Sequence, residues 1–169
     1  DLRAILCSNR SYLGAALAAL IAARVAAALQ HAHRLTDLQG HPLQIVHRDI
    51  SPSNICVSYE GLVKVVDFGV AKTALSHLTV TGVLKGKFPY MAPEQIDGEV
   101  DGRADLFALG TVLHEMLTYQ PLFLRSTDML TMEAVAHDTI PLPSDLSPTP
   151  VPAELERITM HALERKVQD

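Results

Sequence analysis

Across residues 12–34 the apolar positions Leu13, Leu17, Leu20, Ile21, Val25 and Leu29 fall mostly three or four apart on an alanine-rich background, which predicts one long helix. Gly40 and Pro42 then mark a loop. Two short β-branched runs, 55–58 and 62–66, flank Tyr59-Glu60-Gly61 and predict a hairpin. Residues 70–90 carry Thr, Ser, Gly and Lys without a clear period and read as a long loop, a feature that compact domains mostly reserve for function. Helical spacing returns over 105–118, with Leu106, Leu109, Val112, Leu113 and Met116 on one side. Five prolines between Pro141 and Pro152 predict an extended connector, and 154–166 a closing helix. The order predicts a mainly α domain with one small β-hairpin.

Composition narrows the possibilities. The chain has 169 residues, enough for one domain or a large piece of one, and 48% hydrophobic residues, enough for a core. A net charge of -5 gives no basic footprint, so nucleic acid is not an expected partner. Two cysteines, Cys7 and Cys56, make no disulfide framework, and a reducing, cytoplasmic setting is the expectation. Of the eight histidines only His31 and His33 lie close together, without HExxH or CxxC pairing, so a histidine metal site is not expected. Residues 13–29 raise the question of a membrane span. Arg24 interrupts them after eleven uncharged residues, and a span needs about 20 apolar positions, so a buried amphipathic helix and no membrane contact are expected.

Three strings carry candidate chemistry: His47-Arg48-Asp49 with Asn54 five residues past the Asp, Asp67-Phe68-Gly69, and Ala92-Pro93-Glu94. A lone Asp or Asn in a loop is usually a turn former or cap, and each string alone is weak. In this order and spacing they resemble the catalytic and activation segments of a protein kinase. The resemblance covers essentially the whole chain. It implies Asp49 as the base that orients an acceptor hydroxyl, Asn54 and Asp67 as Mg²⁺ ligands, and ATP as donor. The hairpin between the two ligands would return the chain to its starting point. Cys56 falls where the family places a residue under the adenine ring. His47 and Phe68 match a stacked column anchored by Asp105, a structural support for the catalytic loop, and Glu94 is a further support.

The resemblance also implies regulation. Arg48 directly precedes Asp49, and kinases of this kind are often switched on by phosphate in the activation loop, for which Thr79 and Thr81 are the preferred acceptors. Two positions depart from the common serine/threonine pattern. Ser51 stands where the family usually has Lys, and Lys87 follows Gly86 where it usually has Thr. In the family's fold those positions touch, so Lys87 is expected to supply the cation that Ser51 lacks. His-Arg-Asp-Ile-Ser-Pro-Ser-Asn, with Gly-Lys-Phe-Pro-Tyr-Met-Ala-Pro-Glu-Gln and the insert 37–42, is similar to bacterial versions of eukaryotic-type serine/threonine kinases.

No GxGxxG and no Val-Ala-Ile-Lys string precedes these motifs. Residues 1–169 are therefore expected to be the kinase's larger, C-terminal lobe, truncated at both ends, with Asp1 near the position that meets the ATP ribose. Its partners are then a protein substrate and the missing N-terminal lobe of the same kinase, without which the chain is expected to be inactive. Arg165 lies slightly too early to be the family's partner of Glu94. Two rival readings remain: a pseudokinase scaffold, which Ser51 favours, and a small-molecule phosphotransferase, which the peptide-platform string Ala92-Pro93-Glu94 disfavours.

Overall fold

The structure, a computed structural model, describes residues 1–8, 12–68, 88–97 and 100–165. Its elements are α1 (Leu2–Leu6), α2 (Gly14–His33), the strands β1 (Ile55–Val57) and β2 (Val63–Val65), α3 (Glu94–Asp97), α4 (Gly102–Thr118), α5 (Asp128–His137), α6 (Pro143–Leu146) and α7 (Ala153–Ala162). Single 3-10 turns cover Pro52–Asn54 and Phe88–Tyr90. A mainly helical lobe with a two-stranded antiparallel sheet results, as the apolar pattern predicts.

Everything is arranged around α4. Asp101 caps its start, accepting the Arg103 amide at 2.8 Å, and Tyr119 ends it in the left-handed region with φ 59. From Ala104 to Thr118 every residue except Leu106 is buried. A helix buried all round must satisfy its polar side chains internally. Thr111 and Thr118 do so by donating to the carbonyls of Phe107 and His114, one turn back. At Gly110 an added Cβ would lie 2.9 Å from the Ala162 Cβ, so the glycine permits the close approach of α7.

The predicted stripe of α2 is corrected in detail. Ala18, Ile21, Ala22, Val25, Leu29 and Ala32 face the core, whereas Leu17 and Leu20 are nearly half exposed. Small residues let α2 lie close to α4 and β2, and the larger leucines are turned outward. By length and composition α2 could also cross a membrane; here its inner face packs into the core with Val112, Leu113 and Met116. Leu106, predicted in the core, is exposed on an apolar groove between α2, α4 and α7 that Ala22, Ala26, Leu155 and Ile158 also line. A second cluster gathers Ala92, Phe107, Phe123, Val135 and Leu163.

Other boundaries differ for local reasons. The proline-rich connector contains one helical turn, α6, because Pro143 occupies the first helical position, where its missing N–H costs nothing. The closing helix stops at Ala162 rather than 166. The hairpin pairs Ile55 with Val65, Cys56 with Lys64 and Val57 with Val63. Its turn is closed by the Gly61 amide donating to the Ser58 carbonyl at 3.0 Å, with Gly61 at φ 82, a conformation few other residues adopt.

Candidate active site

The loop that carries the first string hangs from one carboxylate. Asp105 is fully buried in the first turn of α4. It accepts the amides of His47 and Arg48, each at 2.8 Å, and the His33 Nε2 at 2.8 Å. Arg48 stands at φ 63, unfavourable for a long side chain, and its amide bond to Asp105 holds it there. His47 is also fully buried, and its Nε2 lies 3.0 Å from the Val66 carbonyl. A carbonyl only accepts, so Nε2 carries the proton and Nδ1 is left to accept the Asp49 amide at 3.2 Å. The His47 ring meets Phe68 with centroids 4.5 Å apart. One histidine thereby ties the loop to the chain leaving β2.

Asn54 joins the two ends of this arrangement. Its Nδ2 donates to the Asp49 carbonyl at 2.8 Å and to Asp49 Oδ2 at 3.0 Å, while its own carbonyl accepts the Val66 amide at 2.9 Å. The hairpin thus returns the chain to Asn54, and the next residue but one is the third site residue, Asp67, exposed and at φ 59. The donor set fits Mg²⁺: a carboxylate open to solvent, and an amide whose nitrogen is committed to Asp49 so that its oxygen faces elsewhere. Among the described residues no three His, Cys, Asp or Glu gather as a cage, the mode that Mg²⁺ with phosphate does not need.

The remaining sequence candidates distribute as follows. Asp1 is exposed and caps α1, its Oδ1 accepting the Ala4 amide at 2.8 Å, and α1 packs on the Pro52–Asn54 turn and on β1. Cys56 is a half-buried free thiol on β1. Ser51 is buried, with its carbonyl accepting the Asn54 amide. Glu94 is half buried at the start of α3. Arg165 donates instead to the Val135 and Asp138 carbonyls at the end of α5, each at 2.6 Å, and stands over Phe123. Thr79, Thr81 and Lys87 lie outside the described residues.

Two features had no sequence signal. Gln95 accepts the Ala92 amide at 2.9 Å and donates to the Arg48 carbonyl at 3.2 Å, tying the Ala-Pro-Glu segment to the loop of Asp49. Arg3, Tyr90 and Glu115 form a buried cluster. Arg3 donates to Glu115 Oε1 at 3.2 Å and to the Tyr90 hydroxyl, which donates in turn to Glu115 Oε2. Burial, and then the neighbouring Glu115 carboxylate, push the Tyr90 phenol well above its ordinary value.

A loop carboxylate oriented by an amide side chain, beside a second carboxylate suited to Mg²⁺, defines a phosphoryl-transfer type of site. The protein kinase domain model matches residues 2–164, and the chain belongs to that family. It is 50% identical over 144 residues to tyrosine-protein kinase MasK of Myxococcus xanthus, covering 83% of this chain and 22% of that protein. Serine/threonine-protein kinase Pkn1 of the same organism is 44% identical over 137 residues, 76% of this chain and 20% of that protein. Serine/threonine-protein kinase PknD of Mycobacterium tuberculosis is 39% identical over 160 residues, 94% of this chain and 23% of that protein. The chain spans about a fifth of the length of these curated relatives.

Proposed function

We propose that these residues are the larger lobe of an ATP-dependent protein kinase that transfers the γ-phosphoryl group to Ser or Thr hydroxyls of proteins. The observation that carries this reading is the Asn54 side chain bonded to Asp49, on a loop hung from Asp105 and closed by the hairpin that leads to Asp67. Asp49 takes the proton of the acceptor hydroxyl and aims its oxygen. Asn54 fixes the carboxylate's rotation through Oδ2 and, with Asp67, holds Mg²⁺. The chemistry Mg²⁺ supplies when bound is neutralisation of phosphate charge. Lys87 provides the further cation that buried Ser51 cannot, so Lys87→Ala should lower turnover by about a hundredfold, the effect of losing one charge-stabilising donor; full activity in that variant refutes this role. Cys56 lies under the adenine, Asp1 meets the ribose, and phosphate on Thr79 or Thr81 engages Arg48.

A smaller lobe elsewhere in the intact protein completes the nucleotide site, so this chain alone is expected to transfer no phosphate. The kinase works in the cytoplasm, with any membrane anchor elsewhere in the protein. A second reading, tyrosine as acceptor, has one specific support, the identity to a relative named as a tyrosine kinase. The test is transfer from labelled Mg-ATP to protein by the intact kinase, followed by phosphoamino-acid analysis. Phosphoserine and phosphothreonine support the first reading and phosphotyrosine the second. ATP binding without transfer indicates a scaffold, and label on small acceptors alone indicates a small-molecule enzyme.

A further inference from the structure

We propose that Arg3 is a positioning residue for the protein acceptor: its guanidinium, shared between Tyr90 and Glu115, holds the segment that follows Lys87 against α4 and so sets acceptor affinity. The inference rests on the kinase reading and goes beyond it, because α1 has so far served only the nucleotide side through Asp1.

The geometry is specific. Tyr90 and Glu115 are 4% and 3% exposed, and both Glu115 carboxylate oxygens are engaged, one by Arg3 and one by the Tyr90 hydroxyl. Arg3 reaches the same hydroxyl and lies 5.5 Å from the centre of the Tyr90 ring, so it grips that side chain by its polar tip and its face. Tyr90 ends the Phe88–Tyr90 turn, and the Met91 amide donates to the Phe88 carbonyl across it. Whatever fixes Tyr90 therefore fixes the backbone beginning one residue after Lys87. Two residues on, Gln95 holds the Ala92 amide and the Arg48 carbonyl. The segment is pinned twice, once to the loop of Asp49 through Gln95 and once to α4 and α1 through the cluster.

Removing Arg3 releases only the second pin. His47 and Asn54, the partners that orient Asp49, do not touch the cluster. Nor does α1 depend on Arg3 for its place, since Asp1 caps it and Leu2 is its buried anchor. The acceptor side should therefore loosen while the nucleotide side and the base stay as they are. A merely structural arginine would instead depress every kinetic constant together.

The test compares wild type, Arg3→Ala and Arg3→Lys of the intact kinase with Mg-ATP and dephosphorylated casein, measuring KM for each substrate and kcat. For Arg3→Ala the casein KM should rise about tenfold, the usual effect of losing a charged hydrogen bond, with ATP KM and kcat within about twofold. Lysine keeps the charge but not the forked donor, so Arg3→Lys should recover only part of the loss, with casein KM about threefold above wild type. A casein KM at the wild-type value in either folded variant overturns the proposal, as does a parallel loss in ATP KM, casein KM and kcat. If Arg3→Ala does not fold, Arg3→Lys alone decides. Wild type that transfers to no protein fails the kinase reading itself, a result distinct from active wild type with unaltered variants.

Discussion

The two ends of α4 each bury a carboxylate, and the pair are solved differently. Asp105 lies in the first turn, where the helix dipole favours a negative charge, and its main partners are the backbone amides of His47 and Arg48. Glu115 lies in the last turn, where the same dipole opposes it, and its partners are side chains, the Arg3 guanidinium and the Tyr90 hydroxyl. An anion at the favoured end can hold neutral amides and so shape a loop directly. An anion at the disfavoured end needs a cation brought to it, and the segment it holds becomes dependent on a residue from α1. One helix thereby supports the base on one side and the acceptor platform on the other, by unlike means.

That contrast can be broken at several strengths. Asp105→Ala leaves two buried amides and His33 without their acceptor, and should cost about 3–5 kcal/mol, read as a lower midpoint in urea unfolding at unchanged slope. Glu115→Gln keeps one acceptor oxygen and lets the Tyr90 hydroxyl reorient, so it should cost about 1–2 kcal/mol in the same experiment. A larger cost for Glu115→Gln than for Asp105→Ala would invert the comparison. Gly102→Ala is subtler. A Cβ there would lie 2.7 Å from the His33 ring and displace it from Asp105. Losing that charged hydrogen bond, about 1.5–3 kcal/mol, outweighs the gain of about 0.5–1 kcal/mol from alanine in a helix, so a net loss of about 1 kcal/mol is expected by calorimetry.

The smallest effect concerns His114, next to Glu115. Its Nε2 donates to the Pro141 carbonyl at 3.1 Å, and its Nδ1 is buried without a hydrogen-bond partner. Burial holds the imidazole below its ordinary value of 6.5. The unfolded chain then takes up the proton first. Stability from neutral His114 is complete above pH 6.5 and declines as pH falls from there through the lowered native value. Unfolding midpoints from pH 7.5 down to 5 should show this decline in wild type and a shallower one in His114→Gln.

The loop of Asp49, the hairpin and the helix of Asp105 were legible because their signals are local strings and periodicities. What escaped was decided by tertiary packing. Leu17, Leu20 and Leu106 keep helical spacing yet lie outside, since close helix contact favoured the alanine face of α2. The cluster was invisible for a different reason: its bonds join residues 87 and 112 positions apart through side chains, and no spacing along a chain encodes such a meeting. Gln95 is similar, holding a carbonyl 47 positions away.

The most direct measurement is transfer of labelled phosphate from Mg-ATP to protein by the intact kinase carrying Asp49→Asn. Asparagine keeps the size of the side chain and an oxygen for Asn54 but cannot take the acceptor's proton. Transfer should fall by at least about a hundredfold with ATP affinity unchanged. Transfer at the wild-type rate would contradict Asp49 as the base, and with it the assignment of this loop as the centre of the site.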